Sequence, residues 1–129
     1  MKKVLSIFDY VTEKSYEIYP GHFYSIGRHP DCNIQTHPDS KEISRKHANI
    51  EFTKEGLIFL VDNSSTNGTF ILENGNFSRI YKDQIYEGQE FYLGISYKLK
   101  LCKKDLESEL KKQKKSRLDD TEVEIESKF

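Results

Sequence analysis

Residues 47–62 read His47-Ala48-Asn49-Ile50-Glu51-Phe52-Thr53-Lys54-Glu55-Gly56-Leu57-Ile58-Phe59-Leu60-Val61-Asp62, and this stretch decides the fold. From His47 to Thr53 the apolar residues Ala48, Ile50 and Phe52 take every second position, with His47, Asn49 and Glu51 on the other face. A period of two puts alternate side chains on opposite sides of an extended chain, so one face of this strand meets a core. After the polar turn Lys54-Glu55-Gly56, Leu57 to Val61 is a continuous apolar run, the pattern of a strand buried on both sides.

The same vocabulary extends in both directions. Val4–Val11, Ser15–Tyr19 (closed by Pro20-Gly21), Phe23–Gly27, Asn33–Thr36, Thr69–Leu72, Arg79–Lys82, Phe91–Leu93 and Tyr97–Leu101 are short, rich in β-branched and aromatic residues, and separated by turn formers. In the last, Tyr97, Leu99 and Leu101 alternate with Lys98 and Lys100. Ten or eleven such strands at roughly 8–12-residue spacing predict an all-β, antiparallel sandwich. From Lys103 the pattern changes. Leu106 and Leu110 lie among Lys, Glu and Ser at helical spacing, and Asp119, Asp120, Glu122, Glu124 and Glu126 follow Arg117. The division expected is a domain over 1–103 and a charged tail over 104–129, partly helical or disordered, because the tail has too little apolar surface to fold alone.

Composition narrows the function. The chain has 129 residues, 20 Lys+Arg against 21 Asp+Glu, and a net charge of −1. That balance argues against binding nucleic acid through phosphate charge. No run approaches the ~18 apolar residues of a membrane helix. Met1-Lys2-Lys3-Val4-Leu5-Ser6 lacks the apolar stretch of a secretion signal. With two cysteines far apart, Cys32 and Cys102, reduced thiols are expected. An intracellular protein follows, cytoplasmic, or nuclear in a eukaryote, with no membrane partner.

Polar residues concentrate at strand ends between 26 and 69. Gly27-Arg28 closes one strand, Ser44-Arg45-Lys46-His47 opens another, and Asp62-Asn63-Ser64-Ser65-Thr66-Asn67-Gly68-Thr69 joins two more. Loops at one end of a sandwich are where such scaffolds carry binding residues. An Arg, two hydroxyls and a tight turn with free backbone N–H groups is the inventory for a tetrahedral oxyanion. A guanidinium grips two oxygens in parallel, and hydroxyls and amides take the remaining lone pairs.

In that order, Gly27-Arg28, Ser44-Arg45-Lys46-His47 and Ser65-Thr66-Asn67-Gly68-Thr69 resemble the forkhead-associated (FHA) domain. Asp31-Cys32-Asn33-Ile34, Asp62 and the segment Ile85 to Gly94 support the likeness, which covers residues 4–102. Gln89 stands where the family often has Asp, and Leu72-Glu73 lengthen the segment before Asn74-Gly75. The resemblance implies an eleven-stranded sandwich that binds phosphothreonine peptides and is not an enzyme. It implies phosphate contacts from Arg28, Ser44, Arg45 and Thr66, and a peptide main-chain bond from Asn67. Gly27, His47 and Gly68 would be architectural. Lys41 and Glu42, before the motif serine, would select the ligand, with Glu42 favouring Lys or Arg three residues after the phosphothreonine. The implied partners are phosphothreonine proteins made by a Ser/Thr kinase, in a signalling adaptor role, with no cofactor and no metal. Phosphorylated Thr121 in its acidic setting is a candidate ligand for the domain itself.

Competing readings are weaker. Ser44, His47 and Asp62 suggest a hydrolase triad, but no nucleophile elbow surrounds Ser44. His22, His29, Cys32 and His37 lack paired zinc-ligand spacing. A phosphate-independent interaction module, acting through a sheet face or the tail, is the rival from a different class. Intact Arg28, Ser44 and Asn67 count against it.

Overall fold

The computed structural model describes residues 4–104; the expected helical stretch and Thr121 lie outside them. The strands are β1 (Val4–Asp9), β2 (Lys14–Ile18), β3 (His22–Gly27), β4 (Ile34–Gln35), β5 (Ala48–Phe52), β6 (Ile58–Asp62), β7 (Thr69–Glu73), β8 (Asn76–Ile80), β9 (Lys82–Gln84), β10 (Glu90–Leu93) and β11 (Tyr97–Lys104). They form a six-stranded sheet, β2-β1-β11-β10-β7-β8, and a five-stranded sheet, β4-β3-β5-β6-β9. Every pairing is antiparallel except β3 with β4, where Ile26 lies opposite Ile34. The eleven-stranded β-sandwich expected from the sequence is therefore the observed fold, apart from the one parallel pairing.

The core follows from the period-two patterns. Ile7, Leu99, Leu101, Phe91, Leu93 and Ile71 from one sheet pack with Ile26, Ile34, Ala48, Ile50, Phe52, Ile58 and Leu60 from the other. Fully burying an Ile, Leu or Phe is worth about 1.5–3 kcal/mol, so this layer is the main favourable term. Tyr97, inside the core, donates its hydroxyl to the buried Asp9 carboxylate at 2.6 Å and accepts the His37 amide at 2.8 Å. Burial, together with the Asp9 carboxylate, pushes its phenol well above the ordinary tyrosine range. The second Asp9 oxygen closes the β1–β2 turn by accepting the amides of Val11 and Thr12.

Two strand readings differ from the structure. Leu57–Val61 is not buried on both sides. Ile58 and Leu60 face the core, Phe59 and Val61 are half-buried, and Leu57 is 44% exposed. The outer face of this sheet meets solvent, and Phe59 is covered by Lys82, whose Nζ lies 5.3 Å from the ring centroid. Arg79–Lys82 is not one strand either. The chain leaves β8 at Ile80 and enters β9 at Lys82, crossing between sheets at Tyr81, whose carbonyl accepts the Asp62 amide. Among β8 residues only Ile80 is buried, so the period-two signal there is too weak to separate the strands.

Candidate functional site

The end of the sandwich that carries the β10–β11 turn also gathers the loops after β3, before β5 and after β6. Gly27 sets their spacing. A Cβ on it would lie 2.1 Å from the Arg45 carbonyl oxygen, closer than any real contact, so only glycine admits residues 44–46 against the end of β3. Backbone bonds fix this contact. The Arg28 amide donates to Ser44 O at 3.4 Å, the His29 amide to Arg45 O at 3.0 Å, and the His47 amide to Ile26 O at 2.8 Å.

Arg28 is half-buried, and its Nε donates to the Ile43 carbonyl at 2.6 Å. That bond fixes the plane of the guanidinium and leaves the two Nη groups as donors. Ser44 Oγ accepts the Thr66 amide at 3.2 Å, which joins the β4–β5 loop to the β6–β7 loop. Asn67 Nδ2 donates to the Glu42 carbonyl at 2.8 Å and makes a second such join, while Oδ1 of the same amide is an acceptor. Glu42 is half-buried, and its carboxylate accepts the Ser96 hydroxyl at 3.3 Å, tying in the β10–β11 turn. Arg45, Thr66 and Lys41 are exposed.

His47 lies beneath this surface, fully buried. Its Nδ1 accepts the Ser44 amide at 3.0 Å, so the proton sits on Nε2, which donates to Gly68 O at 2.8 Å. Burial pushes the imidazole below its usual 6.5, which keeps the ring neutral. The same carbonyl of Gly68 accepts the Gly94 amide at 2.8 Å. The ring faces the amide of Ser44 and not its hydroxyl, so the geometry is that of a brace and not of a base beside a nucleophile.

Asp62 organises the β6–β7 loop. Its carboxylate accepts the Ser65 hydroxyl at 2.5 Å, the Thr69 hydroxyl at 2.6 Å and the Ser65 amide at 3.1 Å. Burial alone would raise its pKa, but these bonds from Ser65 and Thr69 outweigh it and hold the carboxyl below the usual range. The loop is not the two-residue hairpin turn that Asn67-Gly68 suggests. Ser64 and Gly68 take positive φ, 52° and 88°, and Ser65 Oγ accepts the Gly68 amide at 3.0 Å. The free backbone amides expected here are thus partly committed, with Thr66 held by Ser44 and Gly68 by Ser65.

The structure brings Arg28, Ser44, Thr66, Asn67 and Glu42 into one bonded cluster, braced by Gly27, His47 and Gly68. Arg45 stands beside it with His29 and Lys46, lining an open pocket. Sequence reasoning missed Asp62 as the loop organiser, the Asn67–Glu42 link and the Ser96–Glu42 contact. Only the first had a local signal, a carboxylate three residues before a serine. Gln89 closes its own turn by accepting the Tyr86 amide at 3.1 Å, and Leu72-Glu73 complete β7, so both departures lie away from this end.

Comparison with known proteins identifies the family of this sandwich. The family model of the FHA domain matches residues 24–94, more than half of the 129, and the chain belongs to that family. FHA domains are modules that bind phosphothreonine peptides. Among solved structures, the FHA domain of the CT664 protein from Chlamydia trachomatis superposes with a TM-score of 0.68 at 20% identity, over 79% of this chain and 99% of that one. The Rv1747 FHA-1 domain of Mycobacterium tuberculosis gives 0.65 at 25% identity, over 81% and 100%. The N-terminal FHA domain of Rad53p from S. cerevisiae, in complex with a phosphothreonine peptide, gives 0.63 at 20% identity, over 83% and 98%. No curated relative matches by sequence.

Proposed function

We propose that this end of the sandwich binds phosphothreonine peptides as the recognition element of a signalling adaptor and carries out no catalysis. Arg28 and Ser44 hold the phosphate, Thr66 and Arg45 complete the cradle, and Asn67 bonds the peptide main chain. The observation that supports this reading is the anchoring of Arg28 Nε by the carbonyl of Ile43, the residue before Ser44, which leaves both Nη groups as donors. A guanidinium held this way has less freedom to lose when it grips two phosphate oxygens. Phosphothreonine brings about −1.5 to −2 charge and three acceptors, where Asp or Glu is planar with one charge, so acidic mimics should bind poorly.

On the ligand side, Lys41 and Glu42 set selectivity, Glu42 with its carboxylate toward a Lys or Arg three residues after the phosphothreonine. A Ser/Thr kinase writes the mark, inside the cell. Residues 1–103 constitute the binding domain and 104–129 its appendage. Phosphorylated Thr121 is an internal candidate, weakened because Glu124 would then face Glu42. Titration of an oriented phosphothreonine peptide library into wild type and Arg28→Ala tests the reading. Micromolar wild-type binding, lost in the variant and on dephosphorylation, is expected. A folded wild type that binds none of the library would overturn it in favour of the phosphate-independent surface.

A further inference from the structure

The pocket lined by His29, Arg45 and Lys46 adjoins the cluster around Arg28 and Ser44, neither of which lines it, and shares Arg45 with the proposed cradle. The paired backbone bonds explain the arrangement. Arg28 is bonded to Ser44, and one residue further along both segments His29 is bonded to Arg45. The second pair therefore lies beside the first, where the chain bends after β3 and turns before β5. Arg45 O, which accepts the His29 amide, also accepts the Cys32 thiol at 3.3 Å, so the backbone beneath the recess is fixed from two sides. Lys46 is anchored in the same way, its carbonyl accepting Asn63 Nδ2 at 3.2 Å.

The charge of this recess is compensated only in part. Among the described residues the ion pairs are Lys82–Glu51, Lys98–Glu90 and the contact of His29 with Asp31 at 3.7 Å, so neither Arg45 nor Lys46 has a carboxylate partner. Asp31, the nearby acid, is 79% exposed and offsets one charge of two. His29 Nδ1 accepts the Asp31 amide at 3.0 Å, which places the proton of the neutral ring on Nε2 as a further donor. Two unpaired cations and an imidazole N–H at a recess are a site for an anion.

The geometry points to a second anion subsite at His29, Arg45 and Lys46 that takes another negative group of the same ligand, a phosphate or a carboxylate flanking the phosphothreonine. The inference rests on the phosphopeptide reading of the Arg28–Ser44 cluster and deepens it. The domain then favours doubly phosphorylated or acid-flanked segments over an isolated mark. Asp119-Asp120-Thr121-Glu122 in the tail is of this chemistry.

Calorimetry with the full chain separates the two readings. The probes are one phosphothreonine peptide with alanine flanks, the same peptide with Asp on either side of the mark, and the same with phosphoserine there. For wild type the phosphoserine peptide should bind about tenfold tighter than the alanine-flanked one, with Asp between them, because charge-assisted bonds strengthen with ligand charge. Lys46→Glu and Lys46→Ala should erase that gap and leave the alanine-flanked peptide within about twofold, since Lys46 is exposed and stands outside the phosphothreonine cradle. Equal wild-type affinities for all three peptides overturn the subsite and leave the primary reading intact, as does an equal loss for all three in the Lys46 variants. Failure of every phosphopeptide removes the primary reading, and the subsite with it.

Discussion

The two ends of the sandwich are built on opposite principles. At the far end the turns are local: Thr53 closes its own turn by accepting the Leu57 amide, Gln89 closes another through Tyr86, and Gly56, Gly75 and Gly88 have no atom within 4 Å of a Cβ. At the binding end the bonds join segments distant in sequence: Ser44 with Thr66, Asn67 with Glu42, His47 with Gly68, Tyr97 with His37. Glycine makes the contrast plain. Gly75, at φ 79°, is required for its conformation alone, whereas Gly27 has an ordinary φ and is required for space. A turn that only reverses the chain can be specified by its own residues. A surface assembled from several loops has to be specified by contacts between them.

Substitutions can break this comparison. Gly27→Ala should have the largest effect, a loss of about 3 kcal/mol measured by urea unfolding, because its methyl meets backbone that cannot step aside. Stability within about 0.5 kcal/mol of wild type would mean that residues 44–46 can retreat from β3. His47→Ala should cost about 2–3 kcal/mol, since it leaves the Ser44 amide and the Gly68 carbonyl each short of a partner. Gly75→Ala at the far end should cost only about 1 kcal/mol, the penalty of positive φ in open space.

Acidification sharpens the same contrast. The His47 pKa is lowered on folding, so below its ordinary 6.5 the unfolded chain binds more protons than the folded one. Stability should therefore fall as the pH drops from 6.5 toward the lower folded-state value. Asp62, also depressed from its ordinary 3.8, contributes stability above that value and adds a second loss below it. Urea unfolding between pH 7 and 5 should give a declining midpoint for wild type and a flatter profile for His47→Gln. Parallel profiles would place the acid sensitivity elsewhere.

The far end and the sheets were largely legible in the sequence. Ala48, Ile50 and Phe52, like Tyr97, Leu99 and Leu101, face the core as their alternation requires, and Asn74-Gly75 forms the β7–β8 turn with both φ positive. The reading fell short where burial depends on neighbours in space. Nothing local to Leu57–Val61 says that one face of its sheet is open to water, and nothing near Tyr81 marks a change of sheet. At the loop end the three spaced motifs were legible, and the structure gathers them. Their wiring was not, because the pairing of Asn67 with Glu42, or of Ser96 with Glu42, exists only after the loops have met.

The Asn67–Glu42 and Ser44–Thr66 bonds also bear on time. Loops already tied to one another have no ordering step to complete if the proposed peptide binds here, and two such ties span this surface. Association should then be a single bimolecular event, with an observed stopped-flow rate that rises linearly with peptide concentration and does not level off. Residence time, set by how many of the bonds to the peptide must break together, would carry most of the difference between a preferred partner and a poor one.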